Sequence, residues 1–172
     1  MAMLLVNNPG TWGKIYGPLE HAPWHGLTPT DLIFPFFLFI MGVAVPMALG
    51  KAKREGPPFK STYLKISART FRLILAGLFL SSFPFYFWTS GEWLNLSTWR
   101  FPGVLQRIGL VYFAVSLAYL HLSRKQMVIS SAVILVGYWL LLALVPVPGI
   151  GEPSFERGLD LTSWFDKLIL AD

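Results

Sequence analysis

Four long runs of this chain are almost free of charge, and each is long enough to cross a bilayer as a helix. Crossing takes about 20 predominantly apolar residues. The runs are Leu32–Leu49, Phe71–Trp88, Val104–Leu122 and Met127–Val147. The second is uncharged except for Arg72 at its edge, the third has Gln106 and Arg107 near its start, and the fourth has no charge. Pro35, Pro46 and Pro84 fall near run ends, where lost helical bonds are most readily replaced.

The composition agrees. Of 172 residues, 54% are hydrophobic, 16% aromatic and only 13% charged, against about a quarter charged in soluble domains. A soluble domain of this size could not hide so much apolar surface, so lipid must cover part of it. The net charge of +5 does not point to nucleic acid, because the basic residues do not interleave with aromatics. They cluster in two short stretches between apolar runs, which is a topology pattern. With no cysteine there is no disulfide framework, thiolate nucleophile or thiolate metal site. Met1–Val6 lacks a basic n-region, so it is no signal peptide. Six helical residues rise only about 9 Å, so this stretch reads as the remnant of a preceding helix. The expected fold is a single all-α, polytopic membrane domain over residues 1–172. It has four full transmembrane helices, that remnant, and an amphipathic C-terminal helix.

Charge in the connections sets the orientation. Lys51, Lys53, Arg54, Lys60, Lys65 and Arg69 face one acid, Glu55, between the first two runs, and Arg124 and Lys125 separate the last two. The positive-inside rule puts 51–70 and 123–126 in the cytoplasm. The N-terminal loop, the Trp88–Pro102 loop and the C-terminal stretch are then extracytoplasmic. Trp12, Trp24, Trp88, Trp93 and Trp99 lie on that side, as an interfacial aromatic belt would. Leu161, Trp164, Phe165, Leu168 and Ile169 recur at helical spacing, with Asp160 as N-cap, so the tail reads as an interfacial helix or the approach to another span.

Chemistry concentrates in the outer loop from Asn7 to Asp31, which holds two Asn, two His, Glu20 and Asp31. Histidine is the side chain that serves as base, acid or nucleophile near neutral pH. A carboxylate at a span entrance, as Asp31 is, must be paired or wet. His21 and His25 have the spacing of two ligands on one helix face, but Pro23 and Gly26 argue against a regular helix there. His121 lies at the opposite end of the third run, about 30 Å away, so no metal is expected. Structural histidines bonded to backbone remain an alternative. Arg107, near the outer end of the third run, either snorkels or pairs, with Asp31 as its expected partner. The basic stretch after the first run either holds phosphates of a nucleotide-bearing donor or only sets topology.

The stretch from Val6 to Leu49 contains HAPWHGLTPTDLIFP, His21 to Pro35, and a second block, RFPGVLQRIGLVYF, runs from Arg100 to Phe113. Together they resemble the heparan-α-glucosaminide N-acetyltransferase family of membrane acyltransferases, over its N-terminal half. The resemblance implies transfer of an acetyl group from cytoplasmic acetyl-CoA, as donor substrate, to the amino group of a glucosamine-like acceptor across the membrane. It implies His21 as the catalytic residue, either base or acetyl carrier, and a site role for Asn7. Asp31 joins His21 as a candidate catalytic residue, in the role of fixing its imidazole tautomer, and Arg107 is a candidate to stabilise the oxyanion or a CoA phosphate. Asn8, Trp24, His25, Gln106 and Arg107 join Asn7 as candidate substrate-binding residues. His25 stands where some relatives have Asn. Family chains are longer, so the sequence reads as a fragment, inactive alone. The expected partners are membrane lipid, acetyl-CoA and an amino-sugar acceptor, without nucleic acid, and a homo-oligomer stays open. A carrier without acyl chemistry would instead show solute flux independent of acetyl-CoA. A non-catalytic scaffold would neither bind nor consume it.

Overall fold

A computed structural model of the chain describes Thr11 and residues 15–57, 60–82, 86–87, 92–93, 103–149 and 151–170. Among them the chain divides into two compact units. One holds the residues up to Ala22 and Leu27–His121; the other holds Pro23–Gly26 and the residues from Leu122 onward. The expected remnant at Met1–Val6, with Asn7, Asn8 and most of the Trp88–Pro102 loop, lies outside the described residues.

The first unit is built on three helices, α1 (Ile33–Glu55), α2 (Lys60–Ser82) and α3 (Val104–His121). Helix α3 is central and packs on both others. Near one end Lys53 of α1 meets Tyr119 of α3, and Tyr63 of α2 bonds His121. At the other end Gly77 of α2 faces Gln106 of α3. Thus α1 runs parallel to α3 and α2 antiparallel. The core joins Val45, Leu49, Ile66, Tyr112 and Leu120. Gly109 lets the α2 backbone approach, since a Cβ there would lie 3.4 Å from the Thr70 carbonyl. Small residues at such crossings are how membrane helices pack without a hydrophobic drive between them. Gly56, at φ 78°, closes α1 by donating to the Ala52 carbonyl, a conformation that only glycine takes without penalty.

Helix α1 outlasts its apolar run because Lys51–Glu55 continue it, and α2 begins after only four more residues. The expected basic loop is therefore mostly helix: Lys60, Lys65 and Arg69 all lie on α2. That changes the count of spans. Helix α1, helix α3 and, in the second unit, α4 (Arg124–Leu144) are long and apolar enough to cross a membrane; α2 is not among them. The expected second span, Phe71–Trp88, departs further. Helix α2 stops at Ser82, and Tyr86–Phe87 (β1) pairs antiparallel with Glu92–Trp93 (β2), Tyr86 opposite Trp93. The sequence after Ser82 is Phe83-Pro84, and a residue before proline is pushed out of the helical region. The other regular elements among the described residues are helices, as expected.

In the second unit, Ser123 and Gln126 form a reciprocal capping box at the start of α4, leaving two fewer orphan N–H groups. No residue of α4 is buried. Helix α5 (Leu161–Leu170) is the expected amphipathic tail. Asp160 caps it, its carboxylate accepting from the Ser163 N–H at 3.3 Å and from the Ser163 and Thr162 hydroxyls. Burial works against ionisation of Asp160, but these bonds outweigh it and hold the carboxyl below its ordinary value.

Candidate functional site

The site forms in the turn that leads into α1. Successive N–H groups of Asp31, Leu32 and Ile33 donate to the carbonyls three residues back, a tight turn that aims the Asp31 side chain back over the preceding loop. A buried threonine pins that loop: the Thr30 hydroxyl donates to the Pro18 carbonyl at 3.2 Å.

Asp31 is the hub. Its Oδ1 lies 2.6 Å from His21 Nδ1. Its Oδ2 accepts the Thr28 N–H at 2.9 Å, the Thr28 hydroxyl at 2.9 Å and the Ala22 N–H at 3.3 Å. The His21 imidazole, first, and then the two Thr28 donors hold the Asp31 carboxyl well below the usual carboxylate range. An ionised carboxylate only accepts hydrogen bonds. His21 Nδ1 must then carry the proton, and in the neutral imidazole Nε2 is left as a bare lone pair. The His21 side chain is 68% exposed and that of Asp31 25%, so the carboxylate is the shielded partner and the ring faces outward. The pair lies at the end of the unit where α1 and α3 begin and α2 ends.

Other expected site residues fall elsewhere. Arg107 is exposed near the start of α3 and does not pair with Asp31, whose oxygens are already occupied. Gln106 is 1% exposed, wedged against Gly77, and its Nε2 has no partner. In the second unit, Trp24 spends its indole N–H on the Phe155 carbonyl at 2.7 Å, and His25 is exposed. Asn7 and Asn8 lie outside the described residues.

Sequence reasoning missed Thr28 and the Ala22 N–H. The signal for Thr28 was present: Thr-x-x-Asp before an apolar run is a capping-box pattern, in which the acid reaches back to the N–H of the threonine.

Comparisons with known proteins bear on the family of the chain. The family described as a domain of unknown function, DUF5009, matches residues 19–160. The chain is 34% identical over 203 residues to heparan-alpha-glucosaminide N-acetyltransferase of Homo sapiens, covering 99% of the chain and 30% of that protein. It is 38% identical over 114 residues to the enzyme of the same name from Mus musculus, covering 66% of the chain and 16% of that protein. The chain thus spans less than a third of either relative.

Proposed function

The chain belongs to the DUF5009 family and to that of the heparan-α-glucosaminide N-acetyltransferases, and from that premise we propose that it is the His-bearing part of a transmembrane acetyltransferase. The donor is acetyl-CoA and the acceptor an amino sugar. The observation that carries this reading is the 2.6 Å contact between His21 Nδ1 and Asp31.

Two routes use the same free Nε2. In direct transfer, the acceptor amine attacks the thioester carbonyl and gives its proton to Nε2; the C–S bond breaks, and the departing thiolate takes that proton. In the two-step route, Nε2 attacks the carbonyl, the C–S bond breaks and CoA leaves as the thiolate; the acetyl group rests on the ring until the amine attacks it, the ring N–C bond breaks, and the amine's proton passes to the released thiolate or to water. In both, Asp31 acts as a positioning residue: it fixes the tautomer and stabilises the cationic imidazole. The chain then forms four spans, with the 23-residue α2 as the second. The end bearing Lys51, Lys53, Arg54 and Lys60 faces the cytosol, as the positive-inside rule favours, and His21 faces the acceptor on the other side.

The test is His21→Ala in the full-length protein, with acetyl transfer from acetyl-CoA to glucosamine measured in membranes. Transfer is expected to fall to background while expression and membrane insertion persist; wild-type transfer by the variant ends the proposal.

A further inference from the structure

Only Pro23 separates two fixed points in the loop that carries His21. On one side the Ala22 N–H donates to Asp31 Oδ2 at 3.3 Å. On the other the Trp24 indole N–H donates to the Phe155 carbonyl at 2.7 Å, a partner 131 residues away in the chain. Trp24 and Phe155 both belong to the second unit. Among the described residues, this is the one hydrogen bond made by residues 23–27.

Folding does not call for that bond. Trp24 is 45% exposed, and an N–H on an exposed ring bonds water as readily as a carbonyl, so the exchange of partners stabilises little. What the bond supplies is position. Its acceptor is held in turn: the Glu156 N–H donates to the Ser154 hydroxyl at 3.2 Å and the Leu159 N–H to the Glu156 carbonyl at 3.1 Å, just ahead of the Asp160 cap. The link from Trp24 back to His21 is stiff. The Pro23 ring fixes its own φ near −65° and pushes Ala22 out of the helical region, so a displacement of Trp24 passes on to Ala22 and His21. The exposed His21 ring is bonded through Nδ1 to Asp31, and the direction of Nε2 follows the backbone that carries it.

We propose that Trp24 is a positioning residue: its bond to the Phe155 carbonyl holds Ala22 and Pro23 so that His21 Nε2 points at the reacting groups. The inference rests on the acetyltransferase reading above. It gives Trp24 a task other than the substrate contact expected of it. Asp31 sets which nitrogen of His21 is bare, and Trp24 sets where that nitrogen stands.

Steady-state acetyl transfer to glucosamine should be measured on the full-length protein in membranes for Trp24→Phe, which keeps an aromatic ring and loses the N–H. Its kcat is expected to fall about tenfold to a hundredfold, the order of loss that a misplacement of about 1 Å brings. KM for acetyl-CoA and for glucosamine, and the Tm, should stay close to wild type. Trp24→Cys combined with Phe155→Cys should be as slow until a bifunctional, reducible thiol reagent joins the two positions. Joining should then recover part of kcat and reduction should abolish the gain, while neither single cysteine variant responds. Wild-type kcat in Trp24→Phe, a change confined to KM for glucosamine, or a loss matched by a lowered Tm and not recovered on joining overturns the assignment while leaving the acetyltransferase reading intact. Absence of transfer by wild type overturns both.

Discussion

Asp31 accepts four hydrogen bonds through two oxygens, and that is what turns His21 from a surface histidine into an oriented one. Replacing Asp31 by Asn keeps the shape but removes the obligatory acceptor, so Nδ1 is no longer held in the protonated tautomer. Acetyl transfer by Asp31→Asn is expected to drop by roughly 10²- to 10⁴-fold, the range of a positioned acid–base contribution, with little change in CoA binding. The same carboxylate makes the loop acid-sensitive. Its pKa is depressed in the folded state, so its stabilisation is present above the ordinary value of 3.8 and is lost as pH falls below that value toward the folded pKa. The thermal stability difference between wild type and Asp31→Asn should therefore be constant at neutral pH and shrink on acidification below about pH 4. His21 and Asp31 were both legible from sequence as reactive types at a span entrance. Their contact was anticipated only through the role of Asp31 in fixing the imidazole tautomer, while charge counting made Arg107 the expected partner of Asp31. Local donors ten or fewer residues away reached the carboxylate first, and a turn geometry of that kind is invisible to charge counting.

At the scale of elements, the apolar runs located three helices to within a few residues. Ends were read less well. Helix α1 continues through Lys51–Glu55, and α4 starts at Arg124 because Ser123 caps it. The charged half of α2 looked like a loop because hydropathy cannot tell a solvated connection from a helix whose cations are exposed, as Lys60, Lys65 and Arg72 are. The α2–α3 seam depends on two glycines. A Cβ on Gly77 would come within 2.7 Å of Gln106 Oε1, closer than any relaxed contact. Gly77→Ala is expected to destabilise the protein by about 1–3 kcal/mol, the usual penalty of overpacking. Because the two closest obstructing atoms belong to Gln106, with Leu105 Cβ next at 3.1 Å, Gln106→Ala in that background should recover part of the loss. A thermal-unfolding double-mutant cycle should return a coupling of roughly 0.5–3 kcal/mol; simple additivity would show that something other than Gln106 fills the space.

For the whole molecule, composition pointed to a membrane before any element was placed, and the many outward-facing apolar side chains, Met47, Phe39 and Leu135 among them, fit that reading. The family was legible because two motif blocks survive in order. The β1–β2 pairing was not, since it follows from a proline stop rather than from an apolar pattern. Sidedness can be read directly because the chain has no cysteine of its own. A single cysteine at Glu20 is expected to react with a membrane-impermeant maleimide added outside intact cells, and one at Glu55 only after permeabilisation. The reverse pattern would detach the cationic end from the cytosol and, with it, the division between donor and acceptor sides.

The cations of α2 also bear on how such a chain is made. A helix carrying Lys60, Lys65, Arg69 and Arg72 gains too little from hydrocarbon to leave the translocon sideways alone, since a central arginine or lysine costs about 2.5–3.5 kcal/mol on insertion scales. Among the described residues, its polar side chains meet α3 at Gly109, Tyr112 and His121. If α2 crosses the membrane, those contacts favour its entry together with α3, as a hairpin, over entry alone.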